Sequence, residues 1–389
     1  MTGHDETTEL RGLARLLARE TNISDLLQHL TDLDPKPWAT VPGIEHAPTG
    51  STRERSLRRL KGQRVSGTAD LELTLDNTTL ALVEVKLSHV FSADQRRRYE
   101  ASAPATAALV LAGVEIDRRL VRDHSRWSFI SLTDLFGRWV SSCSVEAAQL
   151  AAAAVAVLRG WDQLLDDVFE PSSSPQRRDL LAVNKKFLAR LSARRIAERL
   201  AETWMSSAHV TSGGGLAIAQ AWATIDEERG EYLIAEVRWH EGLRAGELRF
   251  GVDFEGPATR ASAYGLARAM SDKISVNSFK LALRTDQSPL DLLLTTTGTG
   301  RPRARGDWDA VVERGLHSRG TDGAVKGTRL THTPDFFGDG TLRHEAKSTI
   351  DFARASADDL VQLIDATLQY LTACAPSDWP HRVEEAITA

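Results

Sequence analysis

Residues Gly67 to Glu100 read GTADLELTLDNTTLALVEVKLSHVFSADQRRRYE, and the fold turns on how this stretch pairs. Apolar residues alternate on both sides of Asp76-Asn77-Thr78, the pattern of two strands joined by a tight turn. Folding the strands about Asn77 sets Asp70 opposite Glu84. Cross-strand neighbours on one face lie ~5 Å apart. Side chains alternate along a strand, so Lys86 shares the face of Glu84. Two carboxylates and one ammonium therefore meet on one patch of sheet, which can hold a hard divalent cation with a lysine beside it. Read instead as an ordinary exposed charge cluster, the two opposed acids would repel for no benefit.

The flanking sequence supplies further elements. A helix from about Ala93 places Gln95 and Tyr99 on one face. Thr106 to Ala112, TAALVLA, is wholly apolar and suits a central strand covered on both sides. Trp127 to Leu132, WSFISL, is a second strand, followed by a helix from Thr133. Upstream, residues 5–19 put Leu10, Leu13, Leu16 and Leu17 on one helical face, and four prolines make 35–50 a loop.

The run Asp-x13-Glu-x-Lys-x8-Gln-x3-Tyr, carried by Asp70, Glu84, Lys86, Gln95 and Tyr99, resembles the core of the PD-(D/E)XK nuclease superfamily. Ala69 stands where that family usually has proline. The resemblance implies an α/β fold, a restriction-endonuclease-like αβββαβ core with a mixed central sheet. It also implies a divalent-metal-dependent nuclease that hydrolyses phosphodiester bonds of DNA in phage defence, restriction or repair, with RNA left open as substrate. Asp70, Glu84 and the Val85 carbonyl would hold Mg2+ or Mn2+. Lys86 would orient or deprotonate the attacking water, and Gln95 would fix the geometry. Relatives often take another acid from a first helix, for which Glu6 and Glu9 are the candidates. The alternative is an inactive nuclease-fold protein that binds nucleic acid or a protein partner.

A chain of 389 residues accommodates two domains. Its net charge of −5 does not announce a nucleic-acid binder. Local charge does more: Arg58, Arg59 and Lys61 precede the hairpin, and Arg96 and Arg97 follow it, where they could meet phosphates. Cys143 and Cys374 are far apart and form no ligand cluster. With no signal peptide and no apolar run of membrane length, the reading is cytoplasmic, without a membrane partner. A homodimer or a regulatory protein partner stays open.

The domain boundaries expected are 1–168 for the nuclease-like part, 169–178 for a linker around EPSSSPQRR, and 179–389 for an α+β accessory domain. Three β-type segments, LAIAQAWATI, EYLIAEVRWH and ELRFGVDFEG, suggest an antiparallel meander. Within 334–347, Asp335, Glu345 and Lys347 repeat the Asp-Glu-x-Lys pattern, with Gln362 and Tyr370 on the helix beyond. The strand before Glu345 is polar, and folding about Gly338-Asp339-Gly340 sets Asp335 opposite Arg343 instead. The favoured reading there is a surface hairpin with solvated charges; a degenerate second nuclease motif is the other.

Overall fold

The computed structural model describes residues 10–60, 67–211, 214–226, 231–255, 269, 270, 272–295 and 341–376. Glu6, Glu9, Lys61 and Asp335 lie outside these. The chain divides into two compact units, 1–164 and 165–389.

The first unit is a five-stranded mixed sheet with helices. Its strands β1 (Gly50–Ser56), β2 (Thr68–Leu75), β3 (Thr78–Val85), β4 (Ala108–Gly113) and β5 (Trp127–Ser131) lie in sequence order. β1, β2 and β3 are antiparallel, whereas β3, β4 and β5 run parallel. The change of direction requires a crossover, supplied by helix α3 (Ala93–Ser102) between β3 and β4. β4 is apolar throughout because both of its faces are covered. β2 alternates strictly from Ala69 to Leu73: Ala69, Leu71 and Leu73 are buried, while Asp70 and Glu72 are half-buried.

The hairpin turn differs in detail from a fold about Asn77. Asp76 and Asn77 both have positive φ (49° and 63°), the conformation of a two-residue type I′ turn. That turn pairs Leu75 with Thr78 and Thr74 with Thr79. Continued unchanged, it would bring Asp70 opposite Val83. A bulge between Leu73 and Thr74 on one side and Thr79 and Ala81 on the other leaves Leu80 unpaired and advances the register by one. Leu71 then faces Val83, and the next step along the two strands brings Asp70 opposite Glu84.

Two helices precede the sheet, α1 (Arg11–Leu17) and α2 (Glu20–Leu33), and two follow its last strand, α4 (Leu132–Gly137) and α5 (Val145–Asp167). Ile23, Leu27 and Leu30 form the fully buried stripe of α2, which packs on β1, β2 and β3. A 3-10 turn (Lys36–Thr40) follows and seats Trp38 edge-on against Trp139 at 5.3 Å. The first strand of the αβββαβ order, which comes before the hairpin, is β1, whose register with β2 is unbroken except at Glu54.

The second unit is a six-stranded sheet, antiparallel throughout, with helices α6 (Lys186–Leu200), α7 (Val276–Thr285) and α8 (Ala357–Cys374). Its strands are β6 (Met205–Val210), β7 (Ala217–Asp226), β8 (Glu231–Trp239), β9 (Ala245–Glu255), β10 (Leu294–Thr295) and β11 (Thr341–Asp351). β7, β8 and β9 are the expected meander. β11 closes on β9 along its whole length, with Glu345 opposite Gly251. Only glycine fits there: a Cβ on Gly251 would stand 2.0 Å from the His344 carbonyl oxygen. Residues 170–178 turn on themselves and bond within this unit, with Arg178 N–H donating to the Asp167 carbonyl at 3.0 Å and Arg177 pairing with Asp359. Among the described residues no helix is long and apolar enough to cross a membrane.

Candidate active site

Asp70, Glu84, Lys86, Gln95 and Tyr99 come together at the carboxyl end of β3, as their spacing predicts. Glu84 is 2% exposed and Lys86 6%, so this is a buried polar cluster rather than a solvated charge patch. Lys86 pairs with Glu84 Oε1. Gln95 Nε2 donates to the same oxygen at 3.1 Å, and the Tyr99 hydroxyl donates to Glu84 Oε2. The Tyr99 oxygen also accepts the Asp70 amide N–H at 3.2 Å. Asp70 Oδ2 accepts the Val85 N–H at 2.7 Å.

Each group is aimed by local structure. Ser92 caps α3: its hydroxyl accepts the Gln95 N–H at 3.1 Å, and the Gln95 side-chain oxygen accepts the Ser92 N–H at 3.3 Å. The cap fixes the Gln95 carboxamide, so its nitrogen end is left to reach Glu84. Tyr99 lies one turn further on, its ring packed at 5.5 Å from Trp127. Immediately after β3 the Lys86 amide donates to the Ala112 carbonyl at 2.8 Å, on the β4 side. The preceding Val85 amide points the other way, to Asp70. In an extended strand a residue's carbonyl lies on the same edge as its amide, so the Val85 carbonyl faces the Asp70 side.

The structure adds an acid that the sequence reading missed. Glu20, at the start of α2, sends Oε1 to the amides of Leu87, Ser88 and His89 at 2.9, 3.1 and 3.3 Å. Its Oε2 lies 3.9 Å from Lys86 Nζ, and His89 Nδ1 is 3.3 Å from both oxygens. Among the described residues the helical acid brought to this site is Glu20. The apolar period of Ile23, Leu27 and Leu30 was the signal that a second helix begins here.

Electrostatics separate the four charges. Burial and the facing Glu84 push the Asp70 carboxyl up to about 7. Burial alone would also raise Glu20, but its hydrogen bond to His89, Lys86 nearby and the backbone donors bring it down to about 2. Lys86 is raised: burial works against its charge, and Glu84 and Glu20 outweigh burial. Tyr99 is held far above the ordinary phenol range by burial and by Glu84. With all groups ionised, three carboxylates surround one ammonium. The excess is negative, and the donors are hard oxygens, which fits a divalent cation such as Mg2+ or Mn2+ that keeps several waters. Among the described residues no three His, Cys, Asp or Glu side chains form a ready-made metal cage.

The arginines divide. Arg58 and Arg59 are exposed beyond β1. Arg97 is exposed and pairs with Asp94 on its own helix. Arg96 is turned inward, 3.9 Å from Glu100 and 3.4 Å from the Leu120 carbonyl, so it braces α3 and is less available to a phosphate.

The second pattern is built differently. Glu345 is buried on β11, where Arg249 and Lys347 each approach its Oε1 at 3.2 Å and Arg343 its Oε2 at 3.7 Å. Its charges are therefore not solvated, and the strand is an interior one. The expectation of solvated charges fails because β9, about ninety residues upstream, supplies the cross-strand arginine; the Asp335 arm of the expected hairpin lies outside the described residues. Gln362 bonds Asp358 and Tyr370 bonds the Lys273 carbonyl, so neither plays the part of Gln95 or Tyr99. Among the described residues Arg238, Arg249, Arg343 and Lys347 balance Glu236, Glu247, Asp253 and Glu345 in one ion cluster, so no negative excess is left there for a metal to neutralise.

A scan against protein-family models returned no match, and searches of the curated proteins and of the solved structures returned none either.

Proposed function

We propose that the first unit is a restriction-endonuclease-like domain and that the chain is a metal-dependent nuclease acting on phosphodiester bonds of DNA, in phage defence, restriction or repair. The observation that supports this reading best is the convergence of Asp70, Glu84 and Lys86 at the end of β3 with an excess of negative charge. The strand order and the β3-α3-β4 crossover agree with the αβββαβ core that the motif implies. Asp70, Glu84 and the Val85 carbonyl are the groups to hold Mg2+ or Mn2+. Such an ion supplies an acidified water and offsets phosphate charge.

The protein's own residues do the rest. Lys86, kept protonated by Glu84 and Glu20, serves as a fixed cation beside the scissile phosphate rather than as a base. Glu20 holds the loop after β3 through three amides, which keeps Lys86 in place. Tyr99 and Gln95 hold the Glu84 carboxylate in one rotamer. The exposed Arg58, Arg59 and Arg97 contact the backbone of the nucleic acid without reading its sequence.

The test is cleavage of supercoiled plasmid, linear DNA and RNA with Mn2+ or Mg2+ by wild type, Asp70→Asn, Lys86→Gln and Lys347→Ala. Cleavage lost in the first two variants and kept in the third is the expected result. Loss only in Lys347→Ala moves the chemistry to the second unit. No cleavage of any substrate by wild type favours the inactive, binding-protein reading.

A further inference from the structure

The second unit's sheet has one face packed by α6 and α8 and one that those helices leave. On the latter, β6 to β9 surround a cavity of about 290 Å³. Its apolar walls include Met205, Trp222, Tyr232 and Ile234, and its polar wall includes Gln220 and Asp253. Register explains the assembly: Met205 pairs with Trp222, Trp222 with Ile234, and Tyr232 with Asp253, so all point to one side. Met205 is 61% exposed, an unusual place for a large apolar side chain beside a tryptophan.

The polar wall has a definite chemistry. Gln220 donates its amide nitrogen to Ser207 at 3.1 Å, which leaves its carbonyl oxygen as an acceptor. Asp253 Oδ2 takes two bonds from Arg343, at 2.6 and 3.1 Å, and Arg343 also binds Glu236 at 2.8 Å. The carboxylate charge at the wall is answered within the ion cluster of Arg238, Arg249, Arg343 and Lys347 with Glu236, Glu247, Asp253 and Glu345. What the wall offers is acceptors without a demand for a full cation. An apolar cleft with aromatic sides suits a flat ring, and its volume suits one small ring system rather than an extended ligand.

We propose that this cavity binds an amino-bearing base, cytosine, adenine or guanine, of an unstacked nucleotide. The ring lies against Trp222 and Tyr232, and its exocyclic amino group donates to the Asp253 and Gln220 oxygens. Bases taken out of a stack are held in this way, by aromatic faces and hydrogen bonds to their edge. The choice of a nucleobase over other flat amines rests on the nucleic-acid reading of the first unit; the site itself does not.

Calorimetric titration of the full chain, without metal, with dCMP, dAMP and dTMP tests it. The first two are expected to bind about tenfold or more tightly than dTMP, which presents a carbonyl where they present an amino group. Trp222→Leu is expected to weaken dCMP by on the order of tenfold. Asp253→Asn, or Gln220→Leu where the first disturbs folding, is expected to remove the preference over dTMP. Equal binding of all three nucleotides, no binding, or competition by tetramethylammonium overturns the proposal. Asp70→Asn separates the two readings: nucleotide binding must survive it. Cleavage without nucleotide binding defeats this proposal alone, and binding without cleavage defeats the nuclease reading alone.

Discussion

The Tyr99 hydroxyl joins two strands by accepting the Asp70 amide and donating to the Glu84 carboxylate. One phenol thus fixes the spacing of both acids. Tyr99→Phe keeps the ring packing against Trp127 but leaves a buried carboxylate oxygen and an amide short of a partner. The expected cost is about 1–3 kcal/mol of stability in urea unfolding, with Mn2+ affinity reduced. Unchanged stability and affinity would show that neither contact matters.

Lys86→Gln removes the ammonium between Glu84 and Glu20. The buried Glu84 and the half-buried Glu20 then lose the cation between them, and the expected loss at pH 7 is about 3–5 kcal/mol. Adding Mn2+ should recover part of it. Chemical denaturation with and without the metal reads both effects.

Without metal, stability should peak near pH 4 as far as these two acids decide it. Asp70 has a folded value of about 7 against an ordinary 3.8, so the folded state holds its proton more tightly. Its stabilising contribution is whole below 3.8 and is lost as the pH rises to 7. Glu20 has a folded value of about 2 against 4.5, so its contribution is whole above 4.5 and is lost as the pH falls to 2. Melting curves in chelator from pH 2 to 8 should show both limbs. Asp70→Asn should flatten the alkaline limb, and Glu20→Gln the acid limb.

Metal binding at pH 6 should release a proton, since a cation favours the ionised Asp70. Calorimetry in two buffers of different ionisation enthalpy measures that proton. In Asp70→Asn the release should vanish together with most of the affinity.

Deletion of Leu80 should preserve the site. The bulge exists because a two-residue turn would misplace the acids by one position, and removing the extra residue gives a regular ladder with Asp70 still opposite Glu84. Retained metal binding in the deletion variant, against its loss when one residue is added after Asn77, is the expected contrast.

Much of this arrangement was legible because it is local. The pairing of Asp70 with Glu84 needs only alternation and one turn, although the turn and bulge that produce it were read as a single three-residue loop. Gln95 and Tyr99 follow from helical spacing. Glu20 was not legible in the same way: its partners are the amides of Leu87, Ser88 and His89, 67 to 69 positions away, and no side-chain pattern marks an amide. The helix that carries it begins at Glu20 behind an N-cap, Arg19, that makes no side-chain cap, so the apolar period of Ile23, Leu27 and Leu30 announces a helix while no capping residue marks where it begins. The second Glu-x-Lys shows the converse. The letters at Glu345 and Lys347 match, yet Arg249 arrives from β9 and turns the same three-residue pattern into a neutralised ion cluster.

The outermost strand of the first sheet has a bearing on how copies of this protein meet. β1 carries Arg53, Glu54 and Arg55, and Glu54 stands at φ 55°, out of line with its neighbours. Charge and a kinked backbone make a poor template for a further strand. The sheet is therefore capped at that end, and fibrous growth by strand addition is discouraged there.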